Sequence, residues 1–348
     1  MRIAIDAMGG DFAPYEIVKG TVEAYKDIPE DVSLVLVGDE TAIREELAKY
    51  KVSESSRLSI VHTTQVIEMC EAPAQAVRTK RDSSICRGMQ LVKDGEADAF
   101  LSAGSTGAMV AAAIFIVRRC PGVRRPAIGT VLPTAGKPIL VLDAGANTDC
   151  SEEELEQFAV MGNIYSQAIL GQEKPVVGLL SIGGEELKGN DVTKRTLQRL
   201  RQNELLNFCG NIEGHDVFEG KTDVCVCDGF VGNVLLKSVE SSAKAIAHWM
   251  KREFKANPLR IFGALCLKGA LKNLKRRMDP EVYGGAPLLG VNGTVIITHG
   301  ASSHKAIYHA IHVSINAVKN RISEKITQNL SQLAEQKAAQ NKEVESNV

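Results

Sequence analysis

The run Gly183-Gly184-Glu185-Glu186-Leu187-Lys188-Gly189-Asn190 holds the densest set of chemistry-bearing residues in the chain. Gly183 and Gly184 free the backbone for close approach to a ligand. Lys188 adds one fixed positive charge, and Asn190 adds amide donors beside a helix start that Thr193 can assist. Those groups suit a phosphate oxyanion; the alternative is a charged surface loop. A second loop, Ser102-Ala103-Gly104-Ser105-Thr106-Gly107, can offer backbone N–H groups to a developing oxyanion. Four carboxylates, Asp6, Asp11, Asp143 and Asp228, stand at or just past different strand ends. Convergent carboxylates can orient a lysine, bind a metal or act as acid or base. Taken singly, each also reads as a turn or capping residue.

Other chemistries lack their residues. No GxGxxG follows the first strand, and GxxxxGK[ST], GxSxG and HExxH are absent. The eight cysteines form no CxxC pair and no zinc spacing, so they read as free thiols in a reducing compartment. His304, His309 and His312 have no carboxylate at a metal-site spacing. No metal and no cofactor is expected.

These residues must be placed by alternating elements. Short β-branched runs end abruptly in Gly, Asp, Asn or Ser, and a helical pattern follows each. The runs are Ile3–Asp6, Ser33–Val37, Ala99–Leu101, Ile139–Leu142, Val176–Ser181, Val224–Cys227 and Thr294–Thr298. Alternation of this kind predicts a three-layer α/β/α domain around a mostly parallel sheet. Ligands of such sheets bind beyond the carboxyl ends of the strands. There the chain carries Gly9, Gly10, Asn147, Gly229 and Asn233 as well as the groups above. The pattern points to an anionic ligand in one crevice fed by several loops, with ordinary turns as the alternative for any one of them.

The length of 348 residues, 44% hydrophobic and 24% charged, suits one large domain, read here as residues 1–322. A formal net charge of −1 disfavours a nucleic-acid binder. The N-terminal MRIAIDAMGG reads as a strand and not as a signal peptide. The longest apolar run, Ala108–Val117, is too short to span a bilayer. Residues 244–278 break the pattern, with ten Lys/Arg against the lone Glu253. Trp249, Leu265 and Leu267 are interleaved with Lys268, Lys272, Lys275, Arg276 and Arg277, and Asn257-Pro258 predicts a division into two helices. Such a basic amphipathic hairpin can lie on an anionic membrane or receive an acidic protein; a solvated cationic face is the alternative. Residues 323–348 read as a polar tail, helical at first and disordered over its last ten residues.

The segments IAIDAMGGDFAP, EAPAQAVRTKRDSSI, LSAGSTGA, RRPAIGTVLP, LDAGANTDC, GGEELKGN, VCDGFVGNVLLK, VYGGAPLLG and THGASS occur in the order found in bacterial phosphate acyltransferases. The chain resembles that family from Arg2 to about Ile322. Ser105 stands where the family usually has Asn and Val231 where it has Thr, so only backbone roles carry over there. The resemblance implies a fold similar to isopropylmalate dehydrogenase and phosphotransacetylase, and a homodimer. It implies the reaction of acyl-ACP with inorganic phosphate to give acyl phosphate and ACP. The product would feed a membrane-bound glycerol-3-phosphate acyltransferase, and the enzyme would be cytoplasmic with peripheral membrane contact. On this reading Lys188 and Asn190 hold phosphate beside Gly9 and Gly10, the 102–107 loop stabilises the oxyanion, and Asp6, Asp143 and Asn147 orient these groups. Competing readings are a dehydrogenase or phosphotransacetylase on the same fold, and a non-catalytic membrane scaffold.

Overall fold

The computed structural model describes residues 1–278 and 280–346; the side chains of Lys275, Pro280 and residues 339–346 lie outside the described set. The first half of the chain runs β1 (Arg2–Asp6), α1 (Tyr15–Tyr25), β2 (Ser33–Gly38), α2 (Glu40–Lys49), β3 (Leu58–His62), α3 (Pro73–Thr79), α4 (Ser84–Lys93), β4 (Ala99–Ser102) and α5 (Thr106–Ala112). A π-helical turn, Ala113–Val117, extends α5. The second half runs β5 (Ala127–Leu132), β6 (Ile139–Leu142), α6 (Glu152–Ile169), β7 (Val176–Leu180), α7 (Asp191–Arg201), β8 (Asn207–Ile212), α8 (Asp216–Glu219) and β9 (Val224–Val226). It closes with α9 (Gly229–Phe254), α10 (Pro258–Cys266), α11 (Lys268–Arg277), β10 (Ala286–Leu289), β11 (Thr294–Ile297), α12 (His304–Lys319) and α13 (Ile322–Ser346).

Among the described residues, eleven strands form one sheet in the order β3-β2-β1-β4-β11-β10-β5-β6-β9-β7-β8. The pairings are parallel except β11–β10, β10–β5 and β5–β6. The seven expected strands are present within a residue or two. Of the other four, β3, β5 and β8 do not end in the glycine-rich loops that marked the rest, while β10 runs into Gly290-Val291-Asn292-Gly293. Alternation along the strands feeds two helical layers, as a pleated sheet requires. Ile3, Ile5, Leu34 and Leu36 pack with α1, α2 and α12, while Ala4, Val35 and Val37 face α3, α4 and α5. In the second half Leu140, Leu142, Val224 and Val226 pack under α6, α7 and α13. Val141, Cys225 and Cys227 point the other way, towards α8 and the start of α9.

Two segments depart from expectation. The stretch after Pro258 is two helices, α10 and α11, because the backbone turns at Leu267. The polar tail is helical, and Ile326, Leu330 and Leu333 of α13 are buried against the α6 layer, so the packed unit continues past residue 322. No helix among the described residues is long and apolar enough to cross a membrane.

Candidate active site

The first cluster lies at the ends of β1 and β4. Asp6 is buried and accepts from the Ser102 hydroxyl at 2.5 Å and from the Met8 N–H at 3.0 Å. The Ser102 oxygen in turn accepts from Gly104 N–H at 2.9 Å. Burial pushes the Asp6 carboxyl above its ordinary range, against the opposing hydrogen bonds from Ser102, Ser84 and the backbone. A Cβ at Gly9 would lie 2.5 Å from Asp6 Oδ2 and 2.7 Å from Gly104 N. Glycine is therefore required there for the two loops to touch. Gly10, at φ +100°, approaches Ala103 and the Gly300 carbonyl, which accepts from Asp11 N–H at 2.8 Å. The exposed Asp11 and Met69 border Gly300. Ser105 caps α5 by accepting from Ala108 N–H at 3.4 Å, which leaves Thr106 and Gly107 exposed with N–H groups that a helix start cannot satisfy internally.

The second cluster follows β6. Asp143 is fully buried and its carboxylate accepts from the N–H groups of Ile128, Gly145, Ala146 and Asn147, and from the Asn147 side chain. Burial raises its pKa against those donors. Asn147 also donates to the Pro126 carbonyl at 2.8 Å, so both of its amide protons are committed within the fold. The start of α9 leans directly on this loop. Gly229 N–H donates to the Asn147 carbonyl at 2.7 Å, and a Cβ at Gly232 would lie 1.9 Å from the Asp143 carbonyl oxygen. Asp228 caps α9 by accepting from Val231 N–H at 2.8 Å, and Asn233 is exposed one turn on. Nearby thiols are poor nucleophiles: burial, with Asp143 and Glu154 beyond it, pushes Cys150 up to about 12.

The third cluster follows β7. Lys188 is exposed, and among the described residues its ammonium has no hydrogen-bond or ion-pair partner. Its stem lies over buried Gly183 together with Glu185, while nothing stands within 4 Å of a Cβ built on Gly184. Asn190 is the N-cap of α7, and its side-chain oxygen accepts from both the N–H and the hydroxyl of Thr193 at 2.8 Å. Only its amide protons are free to meet a ligand. Two neighbouring polar atoms, Ser181 Oγ and Asn211 Oδ1, are buried with no partner among the described residues. Buried polar atoms without partners are rare in folded proteins.

The loops after β6, β9 and β7 share one edge of the sheet, and β1, β4 and β11 run antiparallel to them. The Lys188 and Asp143 loops therefore form one group and the Asp6 and 102–107 loops another, separated in the sheet by β11, β10 and β5. No hydrogen bond joins Lys188 or Asn190 to Gly9, Gly10 or the 102–107 loop among the described residues. Asp6 and Asp143, expected to orient the reacting groups, are buried against loop backbone.

The basic segment stands apart. No described residue of α10 or α11 is buried, and their main packing is on chain neighbours, α10 on α9 and α11 on α10. Trp249, Leu265, Leu267, Lys268, Lys272, Arg276 and Arg277 are exposed, and the Lys275 side chain lies outside the described residues. Sequence reasoning missed Ser84, Gly232, Gly300, Ser181 and Asn211. Gly232, Gly300 and Ser84 lie inside DGFVGN, THGASS and EAPAQAVRTKRDSSI and had a motif to mark them; Ser181 and Asn211 had none.

Comparison with known proteins follows this geometry. The model of a family described as "Fatty acid synthesis protein" matches residues 1–325. A protein of Desulfitobacterium hafniense named phosphate acyltransferase is 52% identical over 312 residues, covering 89% of this chain and 92% of its own. One of Halothermothrix orenii with the same name is 50% identical, covering 89% and 93%. Among solved structures, a phosphotransacetylase from Streptococcus pyogenes matches at a TM-score of 0.57 with 18% identity, covering 95% of this chain and 94% of its own. A branched-chain phosphotransacylase from Enterococcus faecalis matches at 0.56 with 16% identity, covering 91% and 99%. At those identities the structural likeness establishes the α/β/α fold.

Proposed function

The chain belongs to the phosphate acyltransferase family, and from that premise we propose that it transfers the acyl group of an acyl-ACP thioester to inorganic phosphate. A phosphate oxygen bonds to the thioester carbonyl carbon, the C–S bond breaks, and the carrier thiolate leaves and takes a proton from water. Phosphate dianion is nucleophilic at neutral pH and a thiolate is a tolerable leaving group. Positioning and charge stabilisation then suffice, without a Ser or Cys nucleophile. The raised pKa of Cys150 agrees with that economy.

The observation that carries this reading is the Lys188 loop. Among the described residues it brings an unpaired ammonium, the free Asn190 amide protons, the backbone of Gly183–Gly184 and the unpartnered buried hydroxyl of Ser181 to one strand end. That set suits a doubly charged phosphate. The exposed N–H groups of Thr106 and Gly107 at the start of α5 suit the thioester oxyanion. The long-chain acyl phosphate passes to a membrane glycerol-3-phosphate acyltransferase for phosphatidic acid synthesis, and the exposed apolar and basic groups of α9–α11 support peripheral contact with an anionic membrane. Exposed Ile182, Leu187 and Phe230, which border the Lys188 loop and the Asp228 cap, support a homodimer that covers them.

The test is hydroxylamine trapping of acyl phosphate after mixing the pure protein, palmitoyl-ACP and phosphate. Hydroxamate and free ACP that both require added phosphate are expected. Release of ACP without hydroxamate, with product stability controlled, makes the protein a thioesterase instead.

A further inference from the structure

From the oxyanion loop, one face of α5 and its π turn leads outward as a continuous strip. Gly107, Val110, Ala111, Ile114 and Phe115 remain wholly or partly exposed, while Ala108, Met109, Ala112, Ala113 and Val117 are buried. The exposed set recurs at helical spacing and ends at Arg118, about 16 Å from Gly107 at the helical rise. Helix α3 runs alongside. Its Pro73 abuts Gly107 at the inner end, and its Arg78 guanidinium lies 5.2 Å from the centre of the Phe115 ring at the outer end. There a groove of about 550 Å³ is lined by Ile114, Phe115, Arg118 and Arg119.

Two observations mark the outer end as a ligand surface. First, its arginines are uncompensated. Arg124 and Arg125, a few residues on, pair with Glu153 and Glu154. Among the described residues Arg78, Arg118 and Arg119 pair with no carboxylate; Arg119 donates only to the Arg124 carbonyl. Second, Arg118 sits at φ +77° and ψ 165°, a region that is essentially glycine's, directly after a π turn closed by its own N–H on the Ala113 carbonyl at 2.8 Å. Strained backbone and π turns concentrate at functional sites. An arginine kept where glycine would relax the chain implies use of its side chain.

Building on the acyl-transfer reading above, we propose that this strip is the track for the carrier's phosphopantetheine arm, and that Arg78, Arg118 and Arg119 receive the acidic acyl carrier protein at its outer end. The arm is a long, slender chain joined to its protein through a phosphodiester. Small residues at 107 and 111 let it lie close to the helix, and its reach is comparable to the strip's length. Guanidinium groups match both the phosphodiester and the carboxylates of a carrier helix in planar, bidentate geometry. The carrier thereby docks on the wall that bears the oxyanion loop, and the cations of α10 and α11 are left for a lipid surface.

The experiment compares two substrates in the full-length enzyme: octanoyl-ACP, and octanoyl-N-acetylcysteamine, which has neither carrier nor phosphodiester. For Arg118→Glu/Arg119→Glu, the ratio of kcat/KM for octanoyl-ACP to that for the carrier-free thioester is expected to fall at least about tenfold. Arg118→Gly removes the side chain at a backbone angle that glycine favours, so it folds, and the same ratio is expected to fall while Tm does not. An unchanged ratio in both variants overturns the proposal. So does a fall confined to Lys272→Glu/Arg276→Glu/Arg277→Glu, which would place the carrier on the hairpin. If wild-type enzyme forms no hydroxamate from octanoyl-ACP, the acyl-transfer reading itself fails; if it does and the arginine variants match it, only the docking surface fails.

Discussion

The Ser102 hydroxyl donates to the Asp6 carboxylate at 2.5 Å, and through that bond the ends of β1 and β4 are joined with both groups buried. The same oxygen of Ser102 holds Gly104 N–H, so the pair shapes the loop proposed to stabilise the oxyanion. It is a relationship of position, since no solvent-borne group reaches either atom.

The pair has a pH signature. Burial raises the Asp6 pKa above the unfolded value of 3.8, so the folded state binds this proton more tightly. The resulting stability is present below the unfolded pKa and is lost as pH rises through the folded one. Asp6→Asn removes the titration and keeps an acceptor for Ser102 and Met8. Thermal melts from about pH 4 to about pH 8 should show the Tm difference moving in favour of the variant as pH rises. A difference that stays constant across that range refutes the assignment.

Asp143 carries a heavier structural load. Asp143→Ala leaves the N–H groups of Ile128, Gly145, Ala146 and Asn147 without their acceptor, at a cost of about 3 kcal/mol or more. Gly232→Ala drives a methyl group into the Asp143 carbonyl and should destabilise comparably. Gly184→Ala meets nothing within 4 Å and should leave the unfolding midpoint unchanged. Urea unfolding of the three variants decides it; equal midpoints for Gly232→Ala and Gly184→Ala would contradict the packing.

Lys188 and Asn190 separate charge from capping. Lys188→Ala should lower phosphate-dependent hydroxamate formation by about a hundredfold or more with Tm unchanged. Asn190→Ala removes the α7 cap and should cost about 1 kcal/mol. Asn190→Asp restores the cap but sets a negative charge beside the phosphate, so Tm should recover while the KM for phosphate rises. Near-normal turnover in Lys188→Ala removes that residue from the mechanism.

For the exposed helices, Leu265→Gln/Leu267→Gln should release the protein from phosphatidylglycerol vesicles while lowering soluble turnover much less. Co-sedimentation and hydroxamate assays on the same preparation measure both. Equal losses assign α10 to catalysis and not to the membrane.

Much of this was legible in the chain's own residues. Strand ends showed as β-branched runs stopping at Gly or Asp, because a strand buried on both faces must be apolar and its exit must turn. The glycines at 9, 10, 183 and 229, the Asp228 cap and the Asn257-Pro258 break are local features, dictated by backbone sterics within a few residues. The antiparallel β5 and β10 were not legible, since neither is followed by the helical pattern that marked the other strands. The start of α13 was legible as a helix, since Ile322, Ile326, Leu330 and Leu333 recur at helical spacing; that the α6 layer covers that face was not.

Residue types determined which groups the site could contain: a lysine, glycine-opened loops and strand-end carboxylates. Only the tertiary structure decided what each one does. Burial turned Asp6 and Asp143 from candidate reactants into clamps, because a carboxylate sealed among N–H donors has no face left for a substrate. Among the described residues, packing left Lys188, Arg78, Arg118 and Arg119 without carboxylate partners, a matter of which side chains meet across the fold, and no spacing along the chain encodes that.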